Sequence, residues 1–230
     1  MEFGKSFTYV FEDDDWIMKI LLAAVITFIP IVGPLAVAGW GVEITKRVIQ
    51  KDTEPLPGWS DFVNYLIKGL VVMLIGFVYM LPVILVQICA SGLLFAGSES
   101  GDNTLETVSN IVMVCFSCLT FIYAILMGFL IPAAIGNYAS TGEVGAGFRF
   151  GEVFGLVKAA PVPYLLVVIG SFLAGLISFL GVIACFIGVF FTSVYASAII
   201  AHLTGQAYHE AKLSLEGNGD KLQQLTSDNI

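Results

Sequence analysis

A stretch of 40 residues, from Tyr164 to Leu203, contains no Asp, Glu, Lys or Arg. A helix needs about 20 apolar residues to cross roughly 30 Å of hydrocarbon, so this stretch is too long for one tilted helix and fits two helices joined by a tight turn. We expect that turn near Leu180 and Gly181. Two further segments, Gly69–Ala96 and Thr107–Ile135, are each apolar and long enough for one crossing. The pattern predicts an integral membrane protein.

The charge content agrees with this prediction. Only 12% of the residues are charged, whereas a soluble domain carries roughly twice that share. The 10 Lys and Arg against 18 Asp and Glu leave no basic surface for phosphates. A water-soluble globule, a disordered chain and a nucleic-acid binder are therefore excluded.

The first apolar region, Ile17–Val42, contains Pro30 and Pro34, which cannot both lie inside an undisturbed helix. It is either one kinked span or a short hairpin of two helices. Basic residues that flank spans are retained on the cytoplasmic side. A hairpin allows all ten to lie on one face, whereas a single span divides them 8 to 2. We therefore expect the hairpin, with both termini cytoplasmic.

The expected fold is an all-α polytopic membrane helix bundle with about six membrane helices. It forms one domain over residues 1–212, followed by a flexible polar tail over residues 213–230. The first two helices are short, and whether they are re-entrant or fully cross is left open. The expected helices span residues 17–30, 34–50, 67–96, 106–136, 162–180 and 182–208.

Three segments that precede spans, residues 3–12, 59–66 and 147–158, place apolar side chains at helical spacing with polar residues between them. Each is expected to lie in the cytoplasmic interface with its aromatic rings at headgroup level. The alternative is that they are extensions of the spans that follow. The expected membrane-interface anchors are Phe7, Phe11, Trp16, Trp59, Phe62, Phe150 and Phe154.

Four motifs resemble the DUF4013 family of prokaryotic membrane proteins. They are the acidic N-terminal segment Phe3–Trp16, the proline break Ile29–Val32, the linker Pro55–Asp61 and the later segment Gly147–Val153. The resemblance covers nearly the whole chain and supports the topology. It implies no activity, because the family is defined by sequence and offers no catalytic residues to carry over.

Chemistry-bearing residues are sparse. No ionisable residue lies in the middle of a clear span, and intramembrane ionisable groups are the usual marks of proton pumps and voltage sensors. The sequence contains no phosphate-binding loop, nucleophile elbow or His-Glu-x-x-His motif. We expect no catalytic residue, metal site or cofactor, and no enzyme. The residues that could line a polar cavity are Glu43, Gln87, Asn110 and His202.

Two hypotheses of function follow. The first is a non-enzymatic accessory or scaffold subunit in the cell membrane, which acts through helix packing with lipids and other membrane-protein subunits. The second is a small transporter or lipid-handling protein, in which proline-interrupted helices surround a central cavity.

Overall fold

The computed structural model describes residues 1–54, 56–99, 103–183 and 187–227. Within these ranges every regular element is helical, which confirms the all-α class. Short 3-10 helices cover Tyr9–Glu12 and Val144–Phe148. The α-helices are α1 (Lys5–Thr8), α2 (Trp16–Thr27), α3 (Val32–Ile49), α4 (Phe62–Glu99), α5 (Asn103–Thr141), α6 (Phe150–Ala159), α7 (Pro161–Ile183) and α8 (Ile187–Ser227).

Four segments in the described part of the chain are long and apolar enough to cross a membrane. They are Phe62–Gly92, Thr107–Thr141, Pro161–Ile183 and Gly188–Gly217. The expected count of about six is not confirmed. The reason lies in the first pair of helices, because α2 has 12 residues and is about 18 Å long, while the second half of α3 carries Glu43, Lys46 and Arg47.

A tight turn at Pro30 and Ile31 joins α2 to α3. The amide of Val32 donates to the carbonyl oxygen of Pro30 at 2.8 Å, and Ile31 has φ 68° and ψ −55°, which describes a three-residue γ-turn. Pro30 lacks the amide hydrogen that would continue α2, whereas Pro34 is tolerated in the first turn of α3. The observed boundaries lie within three residues of the expected ones.

The expected interfacial segments behave differently from one another. Residues 62–66 are the first residues of α4, so this part of segment 59–66 is an extension of the following span. No proline or glycine interrupts the helix there, because Pro57 and Gly58 precede it. Segment 147–158 largely coincides with a separate helix, α6, which ends just before Pro161.

The last hairpin turns later than expected. Helix α7 continues to Ile183, so the expected turn at Leu180 and Gly181 lies inside it, and the connection at 184–186 falls outside the described residues. Helix α8 runs from Ile187 to Ser227. Residues 213–227, which were expected to belong to a flexible polar tail, are therefore helical.

Helix α8 is the central element of the bundle, since it packs against α1, α2, α3, α5, α6 and α7. Half of the residues in its most apolar part are buried, against 6% in the corresponding part of α5. Its largest buried neighbours include Trp40 and Tyr164.

Glycines allow the closest approach between helices. A methyl group on Gly39 of α3 would collide with the backbone oxygen of Tyr65 of α4, and one on Gly69 of α4 would collide with that of Leu35. Small residues at such crossings are typical of helix packing in lipid.

Candidate functional site

A polar cleft lies where the end of α3 and the N-terminal segment meet the middle of α8. Its volume is about 690 Å³, within the range of small-molecule sites. Three parts of the chain form its walls: the N-terminal segment, the residues around the end of α3, and residues 202–213 in the middle of α8. Its polar wall residues include Lys5, Glu12, Lys51, Asp52, His202 and His209.

The N-terminal wall is fastened to α8 by long-range hydrogen bonds. The Ser6 hydroxyl lies 2.8 Å from Nδ1 of His202, and the Tyr9 hydroxyl donates to the carbonyl oxygen of Ala198 at 3.0 Å. The Tyr9 ring also stacks on the His202 ring, with centroids 4.2 Å apart. Burial raises the pKa of Tyr9 well above its usual range, so its hydroxyl remains a donor. The segment that was expected at the lipid interface thus packs on protein.

Gln206 determines which nitrogen of His202 carries the proton. Its Oε1 accepts from the amide of Glu2 at 2.6 Å, and its Nε2 donates to the carbonyl oxygen of Glu2 at 3.3 Å. This pairing fixes the orientation of the side-chain amide. Because Nε2 of Gln206 is only a donor and lies 2.9 Å from Nδ1 of His202, that ring nitrogen accepts and the ring proton is on Nε2.

Some of the charges at the cleft are paired. The N-terminal ammonium lies 2.9 Å from Oε1 of Glu210, and Lys5 lies 3.7 Å from Glu2. Among the described residues, Glu12, Lys51 and Asp52 form no ion pair. The cleft therefore presents solvent-exposed charges of both signs that have no ion-pair partner in the described part of the chain.

Lys51 has an unusual backbone conformation. Its φ is 57°, its amide donates to the carbonyl oxygen of Val48, and the Asp52 amide donates to that of Arg47. These two bonds form a Schellman motif that ends α3, with Lys51 at the left-handed position where glycine is most common. A lysine at this place lines the cleft although a glycine would suit the backbone better.

The four residues expected to line a cavity do not come together. His202 lines the cleft. Glu43 instead forms ion pairs with Lys68 of α4 and, at 3.8 Å, with Arg47. Gln87 and Asn110 are exposed on α4 and α5.

The expected interface anchors also divide into two groups. Phe11, Phe150 and Phe154 are exposed large apolar side chains. Phe7, Trp16, Trp59 and Phe62 are half-buried. Trp59 donates from Nε1 to the carbonyl oxygen of Lys19 at 2.9 Å, so part of its role is to hold the linker against α2.

Sequence reasoning missed the aromatic cluster that holds this linker. Trp40 is fully buried, donates from Nε1 to the carbonyl oxygen of Pro57 at 2.8 Å, and stacks on Trp59 with centroids 5.6 Å apart. The Tyr65 hydroxyl donates to the carbonyl oxygen of Gly58 at 2.7 Å. The signal was Trp40, because an indole in the middle of an apolar helix needs a buried acceptor.

The second feature with potential for recognition is the outer part of the α4–α5 hairpin, residues 81–92 and 107–126, here named the outer hairpin. Most of its side chains are exposed. A shallow groove of about 480 Å³ on α5 is lined by Val114, Ser117, Cys118, Phe121 and Ile122. The exposed large apolar side chains of the outer hairpin include Ile84, Leu85, Ile88, Ile111, Leu119 and Ile125.

The outer hairpin also carries exposed polar groups. The hydroxyls of Ser91 and Ser117 donate to backbone oxygens of their own helices, four residues earlier. In contrast, the side-chain amides of Gln87 and Asn110 are exposed and make no hydrogen bond within the ranges that the structure describes. Both amides lie within about five residues of the loop-side ends of the two candidate spans, Gly92 and Thr107.

The family model of DUF4013, described as a protein of unknown function, matches residues 22–201. No match is found among curated proteins or among solved structures.

Proposed function

The chain belongs to the DUF4013 family, and from this premise we propose that it is a non-enzymatic accessory or scaffold subunit of a larger membrane assembly. Four apolar helices of membrane-spanning length make it a membrane protein. Its proposed action is helix packing: the bundle around α8 is the folded base, and the outer hairpin is the surface that receives helices of another membrane protein.

The observation that carries the proposal is the exposed pair of amides on the outer hairpin. Lipid tails satisfy the apolar side chains of a hairpin, whereas the amides of Gln87 and Asn110 need polar partners, either at the membrane surface or on another helix. Asn and Gln side chains commonly form hydrogen bonds between membrane helices. A partner helix would supply both the missing hydrogen bonds and the packing that α5 lacks.

Site-specific photocrosslinking at native expression tests this proposal. We expect a crosslinker at position 88 or 111 to yield a discrete adduct with another protein, and one at Phe172, an exposed residue of α7, to yield none. Replacing both Gln87 and Asn110 by Leu should abolish the adduct. Ser91→Ala is the matched control, because that hydroxyl is already satisfied within α4. Only lipid adducts at every position would contradict the proposal.

A second candidate function is a small transporter or lipid-handling protein. The cleft of about 690 Å³ supports this candidate, because the cleft has both polar and apolar lining residues and could hold a solute or a lipid headgroup. Pro82 and Pro132 lie inside continuous helices and give no support to a cavity around broken helices. Uptake of labelled lipid or solute into vesicles that contain the purified chain tests this candidate, and transport no faster than in empty vesicles would contradict it.

We also propose that the protein lies in the cell membrane with both termini in the cytoplasm. The basic residues support this orientation, because they flank the apolar spans on the side of the bundle where we place the two termini. Examples are Lys5, Lys51, Lys68, Arg149 and Lys212.

A further inference from the structure

The geometry points to a ligand for the cleft: a phosphoethanolamine group, which joins a phosphate to a primary ammonium. The inference goes beyond the scaffold function, because it concerns a different surface of the molecule. Lys51, His202 and His209 receive the phosphate, and Glu12 and Asp52 receive the ammonium.

The first argument is the charge left over in the cleft. One lysine and two carboxylates line the same cavity and have no ion-pair partner within the described part of the chain. A purely anionic ligand would meet Glu12 and Asp52 as like charges, and a purely cationic ligand would meet Lys51. A zwitterion places an opposite charge against each, and charge-assisted hydrogen bonds of this kind are the strong ones.

The second argument is the pair of histidines. Nδ1 of His202 is occupied by Ser6 and Gln206, so the remaining ring nitrogen, Nε2, presents an N–H group. Nε2 of His209 is buried and has no hydrogen-bond partner among the described residues. Buried polar atoms of this kind are rare in folded proteins and need a partner. A phosphate oxygen accepts from the N–H group of His202, and it would also satisfy Nε2 of His209 in the tautomer that carries the proton on that atom.

The third argument is the conformation of Lys51. The Schellman motif at the end of α3 would be relaxed by glycine at this position, yet a lysine stands there and lines the cleft. A strained residue in a cleft is an observation from which a functional side chain can be inferred.

The fourth argument is the apolar border of the cleft. Val48 and Leu213 line it beside the polar residues, and Leu213 is exposed. A headgroup in the cleft could therefore leave its acyl chains against the bundle. The same chemistry also occurs in free phosphoethanolamine, so the two sources must be separated by experiment.

Binding to the purified full chain in detergent tests the inference. The probes are short-chain phosphatidylethanolamine, phosphatidylcholine and phosphatidylglycerol, free phosphoethanolamine, and inorganic phosphate. We expect saturable binding of phosphatidylethanolamine at least about tenfold tighter than that of phosphatidylglycerol, which lacks the ammonium. Binding of the ethanolamine lipid alone identifies a lipid site, and equal binding of free phosphoethanolamine identifies the headgroup as sufficient. Equal affinity for all three lipids, or binding of no probe but phosphate, would overturn the inference.

Lys51→Gly separates binding from folding. Glycine suits the left-handed backbone, so the melting temperature should not fall, whereas affinity for phosphatidylethanolamine should drop about tenfold or more. Lys46→Gln, in the last turn of α3 but outside the cleft wall, should leave the affinity unchanged. If Lys51→Gly is not recovered in folded form, Asp52→Asn serves instead and should remove the preference for the ethanolamine lipid. Unchanged binding in either folded variant would refute the assignment.

Discussion

At the scale of single residues, the close helix crossings depend on glycines, because glycine has no side chain to keep two backbones apart. The α3–α4 crossing places Gly39 against the backbone of Tyr65 and Gly69 against that of Leu35. In lipid, the hydrophobic effect does not favour contact between two helices over contact between a helix and lipid tails. Van der Waals contact at close approach is therefore a main source of the packing energy. We therefore expect a single added methyl group at this crossing to change the free energy of unfolding.

Gly39→Ala should lower the free energy of unfolding by about 1–3 kcal/mol, because the two backbones must move apart to admit the methyl group. Thermal unfolding of the purified protein in detergent measures the effect. Gly76→Ala is the control, because a methyl group there meets nothing within 4 Å, and it should be neutral or stabilising. Equal melting temperatures for the two variants would show that the crossing is not tightly packed.

The γ-turn at the tip of the α2–α3 hairpin is the second residue-scale feature. Ile31 adopts φ 68°, which is unfavourable for a β-branched side chain. Ile31→Gly should raise the free energy of unfolding by about 1 kcal/mol through relief of this strain. Ile29→Gly, at a position with an ordinary φ, should instead lower it. A loss of stability in the Ile31 variant would mean that its exposed side chain is held by contacts that outweigh the strain.

At the scale of elements, the N-terminal segment is a part of the bundle rather than an independent membrane-surface helix. Ser6 and Tyr9 are buried against α8, and the hydroxyl of Tyr195 on α8 donates to the carbonyl oxygen of Phe7. The buried residues of this segment are Ser6, Tyr9 and Val10, whereas Phe11 is exposed, so its apolar spacing does not mark the face that packs on protein. Spacing alone cannot distinguish a stripe that meets lipid from one that meets a neighbouring helix.

A comparison of two tyrosine hydroxyls, those of Tyr9 and Tyr164, tests whether the N-terminal segment is held against α8 by hydrogen bonds. Tyr9→Phe removes the hydrogen bond to Ala198 and should lower the free energy of unfolding by about 1 kcal/mol. The buried hydroxyl of Tyr164 has no partner in the described part of the chain, so Tyr164→Phe should leave stability unchanged or raise it. Thermal unfolding measures both, and hydrogen exchange should report faster exchange in the N-terminal segment of the Tyr9 variant. The reverse order of stabilities would contradict the docking geometry.

At the scale of the whole molecule, the chain divides into a packed base around α8 and a protruding hairpin. Half of the residues in the most apolar part of α8 are buried, whereas only 6% are buried in the most apolar part of α5. This division separates two proposed roles, since the cleft lies in the base and the partner surface lies on the outer hairpin. It also makes both roles testable with variants that do not share a residue.

Orientation is the prediction that belongs to this scale. Reporters that are active only in the cytoplasm should be active when fused to either terminus and inactive when inserted between α4 and α5, because basic residues are retained inside. The orientation should also depend on where the basic residues lie. Adding several lysines to the α4–α5 connection should therefore lower the yield of correctly inserted protein. An active reporter between α4 and α5 of the unmodified chain would reverse the proposed orientation.

The sequence by itself determined the all-α membrane class and the hairpin break at Pro30. Each depends on composition or on neighbours a few residues apart. Only the tertiary structure decided that α4 is continuous from Phe62, that Trp40 holds the linker, and that His202 meets Ser6 across a separation of 196 residues. Apolar periodicity states that a face is buried but not against what, so a cleft formed by three distant segments is visible only once the helices have packed.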